Sequence, residues 1–281
     1  MTDQTEAVLT RRAPTRVEPT RVDQRGQQPT STPLKMLCFH YAGGAPTAFR
    51  PWRDQVPDGV ELTAVELPSS KPIGGRRVHE TIESVVDYVA DRYADRMTGD
   101  YVLVGHSMGA LLAYLVARHQ IEQGLEPPTG LVVAAFSAPQ LDPLSIGVDT
   151  LDDAAFAAAL ARFGGVPDAL LRRPEWLAPL LPTVRDDLRM CERFRFVAPA
   201  DEFTVPTHVI GATEDRLVAP DRVDAWRDIG TDVTLSFLDA DHFFSGGAAH
   251  TLRDTVIDKA IEFWGRRGSD RAPHTLRRKA S

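Results

Sequence analysis

The hydrophobic positions of this chain form short apolar runs that are separated by longer stretches with helical periodicity. Runs typical of buried strands lie at 35–40, 60–66, 101–105, 131–136, 205–211 and 233–238. Helix-forming stretches lie at about 79–96, 107–122, 220–228 and 248–264. Because parallel strands are joined by crossover helices, this alternation predicts an α/β fold with a mostly parallel central sheet flanked by helices.

One stretch breaks the alternation. Between the fourth and fifth predicted strands, residues 150–195 are rich in Ala, Leu and Arg and form helical patterns without a strand between them. An insertion at this point lies over the carboxyl ends of the strands, so the sequence predicts a helical lid at about residues 140–200. Some of its apolar residues are expected to form a lid core and others to line an acyl channel, and the pattern does not divide them between the two roles. Among them are Phe156, Phe163, Leu171, Trp176 and Leu180.

The motif Gly105-His106-Ser107-Met108-Gly109 joins the third predicted strand to the helix that follows it. A Gly-x-Ser-x-Gly sequence in this context is the pattern of a nucleophile elbow, in which the serine occupies a sharp, strained turn and exposes its hydroxyl to substrate. The alternative is a chance match in a glycine-rich turn, and the flanking strand and helix argue against it. Ser107 is therefore the candidate nucleophile.

A serine hydroxyl needs a histidine base and an acid that orients the base, and in this type of site they follow the serine in the order acid, then histidine. Asp215 follows the fifth predicted strand and is the candidate acid, while His242 follows the sixth and is the candidate base. Two other acids stay open as alternatives, namely Glu214 beside Asp215 and Asp142 after the fourth strand. Asp215 also has a purely structural alternative, as a turn residue.

The negative charge that develops on a carbonyl oxygen during attack needs backbone N–H donors. Met108 is the first candidate for this oxyanion hole, because it begins the helix after Ser107 and its N–H lies at the positive end of the helix dipole. The second donor is expected from the loop after the first strand, residues 40–45. Its position assigns this role to Ala42, with Tyr41 as the alternative.

A set of ordered motifs carries a family resemblance. The motifs are Leu37-Cys38-Phe39-His40-Tyr41-Ala42-Gly43-Gly44 with Phe49-Arg50-Pro51-Trp52, then Gly105-His106-Ser107-Met108-Gly109-Ala110, then Gly211-Ala212-Thr213-Glu214-Asp215, then Asp241-His242-Phe243-Phe244. Together they resemble the type II thioesterases, stand-alone α/β-hydrolases that accompany modular polyketide synthases and nonribosomal peptide synthetases. The resemblance runs from about Leu34 to Trp264 and includes the predicted lid.

This resemblance implies an α/β-hydrolase domain at residues 34–265 that hydrolyses acyl thioesters from the phosphopantetheine arm of acyl or peptidyl carrier proteins. The reaction would edit stalled units or release a product. It also favours Asp215 over Glu214 as the acid. Three alternatives stay open: a general carboxylesterase, a releasing enzyme that transfers the acyl group internally and forms a ring, and a non-enzymatic binding member of the fold.

Two departures from the family pattern border the predicted site. His40 stands where the family usually has proline, and Pro68-Ser69-Ser70-Lys71-Pro72 stands where it usually has a Pro-Gly-Arg loop. His40 is interpreted either as a packed core histidine, which we favour, or as a polar group near the acyl thioester. The altered loop leaves a specialised hydrolytic or acyl-transfer role open.

Composition and charge indicate which partners and which cellular compartment to expect. The formal charge is −7, with basic ends at residues 1–33 and 266–281 and an acidic body between them, which argues against nucleic acid as a partner. The N-terminal end is predicted to be a disordered tail. The basic C-terminal tail is interpreted either as solvated and disordered, which we favour, or as a contact for an acidic carrier protein. No run approaches 18 apolar residues and the N-terminus does not resemble a signal peptide, so we expect a cytoplasmic enzyme without membrane contact. Cys38 and Cys191 are expected to be free thiols, and no metal or organic cofactor is expected.

Overall fold

The central element of the structure is a parallel sheet. The computed structural model describes residues 33–68, 81–166 and 172–271. Its strands are β1 (Leu34–Phe39), β2 (Val60–Ala64), β3 (Tyr101–His106), β4 (Gly130–Ala134), β5 (Thr207–Ala212) and β6 (Val233–Leu238). They form one sheet in the order β2-β1-β3-β4-β5-β6, and every neighbouring pair is parallel. The predicted parallel sheet is confirmed.

Helices connect these strands. Those of the described residues are α1 (Ile82–Arg92), α2 (Met108–Glu122), α3 (Asp153–Arg162), α4 (Pro174–Leu177), α5 (Leu181–Arg193), α6 (Pro220–Asp224) and α7 (Ala248–Arg271). The stretch Pro46–Gln55 is a 3-10 helix. Pro51 inside it has no N–H to donate, which disfavours a regular α-helix there.

The last helix is longer than the sequence predicted. Its expected end was Trp264, before a glycine, but α7 continues to Arg271. Arg267 donates hydrogen bonds to Glu126 at 3.1 Å and to Thr129 at 2.9 Å, both in the connection before β4. These contacts hold the additional residues against the protein and offset the low helix propensity of glycine.

The two faces of the sheet carry separate hydrophobic cores. Successive residues of a strand point to opposite faces, so Leu37 and Phe39 of β1 pack with α1 and α2. Met36 and Cys38 face the other way and pack with α7. A sheet that is covered on both faces leaves the carboxyl ends of its strands as the place where loops can form a site.

Residues 140–200, here called the helical insert, lie between β4 and β5 in the sequence. Their helices α3, α4 and α5 pack around a small core that includes Phe156 and Leu177. The apolar residues that the sequence left unassigned therefore differ in burial. Phe156 is buried, whereas Trp176 and Leu180 are 62% and 51% exposed.

Several predictions made from the sequence lie outside the described residues. They concern residues 1–32 of the predicted N-terminal tail, Ser69-Ser70-Lys71-Pro72 of the departing loop, residues 79–80 of the first predicted helix, Leu171, and residues 272–281 of the predicted C-terminal tail. Within the part of the chain that is described, no helix has the length and apolar character needed to cross a membrane.

Candidate active site

The turn between β3 and α2 has the geometry of a nucleophile elbow. Ser107 has φ 54° and ψ −123°, a combination that residues other than glycine rarely adopt. A Cβ on Gly105 would lie 2.1 Å from the carbonyl oxygen of Gly109, and a Cβ on Gly109 would lie 2.2 Å from that of Phe39. Both glycines are therefore needed for strand, turn and helix to pack this closely, as the motif predicted.

Three side chains form a hydrogen-bonded chain at this turn. His242 Nε2 lies 3.0 Å from Ser107 Oγ, and His242 Nδ1 lies 2.8 Å from Asp215 Oδ2. Ser107 and His242 are buried, and the Asp215 side chain is only 1% exposed. When Nδ1–H donates to the carboxylate, Nε2 carries the lone pair and accepts the hydroxyl proton of Ser107. The structure thus brings together all three residues that the sequence selected.

Backbone donors fix the Asp215 carboxylate. Its Oδ1 accepts hydrogen bonds from the N–H groups of Leu217 at 2.8 Å and Val218 at 2.9 Å, while Oδ2 faces His242. Aspartate commonly bonds to backbone N–H groups a few residues ahead in turns. One side chain therefore fills both the turn role and the histidine-orienting role that the sequence set against each other.

The two alternative acids are exposed to solvent. Glu214 and Asp142 both lie at the protein surface, while His242 directs its Nδ1 to the buried Asp215. A carboxylate in water stabilises a nearby imidazolium less than one in a buried site does, because water screens the interaction. The geometry therefore favours Asp215 over both alternatives.

A second histidine, which the sequence analysis did not single out, contacts His242. The Nε2–H of His106 donates to the backbone carbonyl of His242 at 2.8 Å, across 136 residues of sequence. Burial, together with the charge of the nearby His242, lowers the pKa of His106 to about 4, so its ring is neutral near pH 7. His106 therefore supports the loop that carries His242. Its place beside Ser107 in the motif was visible, but its distant partner was not.

The oxyanion loop, residues 40–45, closes as a tight turn beside Ser107. The N–H of Gly44 donates to the carbonyl of Tyr41 at 2.9 Å, and Gly43 has φ +72°. A positive φ at the third of four residues is characteristic of a type II turn. Tyr41, Ala42 and Gly43 line the same cavity as Ser107, so the loop that was expected to supply the second N–H donor reaches the site.

His40 is a buried residue of this loop. It is 5% exposed, and its Nδ1–H donates to the carbonyl of Tyr41 at 2.9 Å. Burial lowers the pKa of His40, which keeps the ring neutral. These observations agree with the packed alternative for this departure from the family pattern.

Two cavities meet at Ser107. The larger, of about 190 Å³, lies between the oxyanion loop and the helical insert, and the smaller, of about 50 Å³, lies beside the connection that follows β4. Ser107 and His242 line both. Apolar side chains dominate the walls, with Phe163, Leu180 and Val184 in the larger and Phe136, Leu141 and Phe194 in the smaller. The site can therefore accept apolar groups on two sides of the serine hydroxyl.

The thiols do not compete with Ser107 as nucleophiles. Cys38 and Cys191 are both free, and burial raises the pKa of each thiol far above physiological pH. A protonated thiol is a poor nucleophile, since the thiolate is the reactive form. Among the described residues, no group of three or more His, Cys, Asp or Glu side chains is arranged to hold a metal ion.

Buried histidines predict a loss of stability in mild acid. Burial lowers the pKa values of His106 and His208 from 6.5 to about 4. As the pH falls from about 6.5 towards 4, the unfolded chain binds protons that the folded chain does not, so the free energy of unfolding falls. Asp187 acts in the opposite direction in the same window, because burial raises its pKa to about 6. Burial also lowers the pKa of His40, which acts in the same direction as His106 and His208, so the histidines outweigh the one carboxylate.

We therefore expect the free energy of unfolding in urea to be lower at pH 5 than at pH 7, by on the order of 2 kcal/mol. Replacing His208, which bonds to Thr234 and Ser236 away from the Ser107 site, by Gln should reduce this difference. Equal unfolding free energies at the two pH values, or an unchanged difference in His208→Gln, would contradict the interpretation.

Comparison with known proteins agrees with this site. Residues 35–261 match the family model described as the thioesterase domain. The gramicidin S biosynthesis protein GrsT of Aneurinibacillus migulanus is 27% identical over 212 residues, which cover 75% of this chain and 82% of GrsT.

Solved structures give the same result. RedJ, a thioesterase from the prodiginine biosynthetic pathway of Streptomyces coelicolor, is 35% identical with a TM-score of 0.74, covering 82% of this chain and 92% of RedJ. YbtT, a type II thioesterase from the yersiniabactin pathway, is 26% identical with a TM-score of 0.70, covering 85% of this chain and 95% of YbtT. The chain has the α/β-hydrolase fold and belongs to the thioesterase family.

Proposed function

We propose that this thioester hydrolase uses Ser107, His242 and Asp215 to release acyl groups from the phosphopantetheine arm of acyl or peptidyl carrier proteins in polyketide or nonribosomal peptide biosynthesis. The observation that carries the proposal is the hydrogen-bonded chain from Ser107 through His242 to Asp215, at the meeting point of two apolar cavities. The pathways in the names of GrsT, RedJ and YbtT support the choice of carrier-bound substrates.

In the first half of the reaction, His242 Nε2 takes the proton of Ser107 as Oγ attacks the thioester carbonyl carbon. Asp215 holds the histidine in the required tautomer and stabilises the imidazolium. The tetrahedral intermediate then collapses, the carbon–sulfur bond breaks, and the sulfur leaves as a thiolate that takes a proton from His242. Because a thiolate leaves readily, this step needs little assistance.

In the second half, water replaces the thiol. His242 takes a proton from the water as the oxygen attacks the acyl-serine ester, and returns it to Ser107 Oγ when the ester bond breaks. The products are a free acid and the original hydroxyl. Release of the acid, rather than of a ring, follows when water and not a nucleophile within the acyl chain reaches the ester.

In both tetrahedral intermediates, the N–H groups of Met108 and Ala42 are assigned as the hydrogen-bond donors to the negatively charged oxygen. Met108 is the first residue of α2, so its N–H has no acceptor within the helix and lies at the positive end of the helix dipole. Ala42 lines the larger cavity together with Ser107. Two such donors beside the serine stabilise charge that is absent in the ground state.

Matched substrates test the reaction class. We expect kcat/KM for an acyl-pantetheine thioester to exceed that of its oxygen isostere, with the same acyl chain, by at least about tenfold, equivalent to ~1.4 kcal/mol of transition-state stabilisation. The reason is that no residue beyond His242 is assigned to assist the leaving group, and an alkoxide needs more assistance than a thiolate. Equal or faster hydrolysis of the oxoester would favour the general carboxylesterase alternative.

A further inference from the structure

We infer that Asp187 is a positioning residue that couples the helical insert to the oxyanion loop, so that the oxyanion hole is complete only while α5 lies over that loop. This inference rests on the proposed function, because it takes Ala42 as a donor to the oxyanion. It assigns to the insert a second role besides enclosing the acyl chain.

A single, partly buried hydrogen bond makes the connection. The N–H of Gly43 in the oxyanion loop donates to Asp187 Oδ2 at 2.8 Å, across 144 residues of sequence. Asp187 lies in the middle of α5 and is 9% exposed. A carboxylate that accepts a backbone N–H forms a charge-assisted bond, which is stronger than a bond between neutral groups.

Close packing of α5 on the same glycine adds to this bond. A Cβ on Gly43 would lie 2.4 Å from Cγ2 of Val184, so the helix contacts the loop backbone directly. Val184 and Asp187 are three residues apart in α5 and therefore share one face of it. That face meets the loop at one residue through both an apolar contact and a hydrogen bond.

The held N–H belongs to the central peptide of the turn, which joins Ala42 to Gly43. Such a peptide can rotate as a unit between type I and type II turns, and glycine as the third residue permits both signs of φ. Asp187 draws the N–H towards α5 and thereby turns the carbonyl oxygen of Ala42 away from it. In the rotated turn this carbonyl would point towards α5, whose Val184 and Leu188 line the cavity, and would repel a developing oxyanion.

The opposite face of α5 is attached to the rest of the insert. Arg189 pairs with Asp149 at 2.7 Å, and Arg185 donates to the backbone carbonyl of Leu151 at 3.0 Å. The helix is therefore fixed to residues 146–153 on one side, and its bond to Gly43 spans the boundary between the insert and the sheet. Displacement of α5 would break the bond to Gly43 and release the turn, which links enclosure of substrate to completion of the hole.

The test compares Asp187→Ala and Asp187→Asn with a matched control, Asp186→Asn. The control removes the same charge from the adjacent position of α5, where the carboxylate pairs with Arg189. With an acyl-pantetheine thioester, we expect Asp187→Ala to lower kcat by about 30- to 100-fold, less than complete loss of an oxyanion donor would, while KM changes less than about threefold. Asp187→Asn keeps a neutral hydrogen-bond acceptor at this position, so its kcat should fall by only about three- to tenfold. The control should stay within about twofold of the wild type.

Inhibitor binding separates positioning from a merely structural role. An alkyl trifluoromethyl ketone forms a tetrahedral adduct with Ser107 and places an oxyanion in the hole, whereas an inert acyl-pantetheine amide does not. We expect Asp187→Ala to weaken trifluoromethyl ketone binding by the same factor as kcat and to leave amide binding unchanged. If Asp187→Ala does not fold, the same comparison of the two inhibitors is made with Asp187→Asn.

Equal weakening of both inhibitors, or no weakening of either, would overturn the inference. The ketone comparison does not require thioester turnover. A wild type that binds the ketone but hydrolyses no acyl-pantetheine thioester would contradict the proposed function, and the role of Asp187 would still be decided by the two inhibitors.

Discussion

Replacing Ser107 by Ala is expected to lower kcat for an acyl-pantetheine thioester by a factor on the order of 10⁶, the effect of removing a serine nucleophile from a hydrogen-bonded triad. The substitution removes one oxygen and keeps the Cβ, so it leaves the strained turn at φ 54° unchanged. The thermal midpoint should therefore stay close to that of the wild type, and a fluorophosphonate probe should no longer label the protein. Stopped assays of thiol release measure the rate.

Ser236→Ala is the matched control for this prediction. Ser236 bonds to His208 on the adjacent strand and does not line either cavity at Ser107. Its variant should retain full activity and full labelling. If Ser107→Ala kept more than about one hundredth of the wild-type rate, covalent catalysis by this serine would be wrong.

The second large effect is expected for Asp215→Asn, with a fall in kcat of about 10⁴-fold. Asparagine has the same shape, but its amide group does not stabilise an imidazolium and favours the wrong tautomer of His242. Because Oδ1 of residue 215 also accepts hydrogen bonds from Leu217 and Val218, the side-chain oxygen that remains can keep the turn intact. The variant should therefore fold and bind substrate with little change in KM.

Glu214→Gln and Asp142→Asn test the assignment of the acid. Both carboxylates are exposed, so each variant should retain at least about half of the wild-type activity, the usual result for a surface substitution. A large loss in Asp142→Asn together with a small loss in Asp215→Asn would show that the acid comes from the loop after β4 instead.

The sheet and the three residues proposed as the triad were accessible from sequence for a clear physical reason. Each depends on a local pattern: β-branched runs for buried strands, glycines around Ser107 for a turn without room for a Cβ, and polar residues directly after a strand. Parallel strands bring their carboxyl ends to one edge, so Asp215 and His242 had to approach Ser107 once the strand order was right.

Contacts between distant segments were not accessible in this way. The bonds from Asp187 to Gly43 and from His106 to the His242 carbonyl join residues more than 130 positions apart. No local sequence pattern encodes these two hydrogen bonds, because each depends on how loops pack after the sheet has formed.

Element ends also departed from prediction where side-chain chemistry overrides propensity. The fifth strand was expected from Val205 but begins at Thr207. Pro206 has no N–H for a ladder and contributes only its carbonyl, which accepts from Leu131 at 2.9 Å. At the other end of the chain, contacts of Arg267 carry α7 beyond the glycine at which the pattern predicted its end.

The most direct test of the central claim is release of acyl groups from a carrier protein, followed by intact-protein mass spectrometry with wild-type enzyme and Ser107→Ala. The account predicts that the wild type converts acyl-carrier to carrier with a free phosphopantetheine thiol, that the acyl group appears as an acid containing one added water, and that Ser107→Ala leaves the acyl-carrier intact. Persistence of every acyl-carrier with the wild type, across chains of different length and despite fluorophosphonate labelling of Ser107, would contradict it.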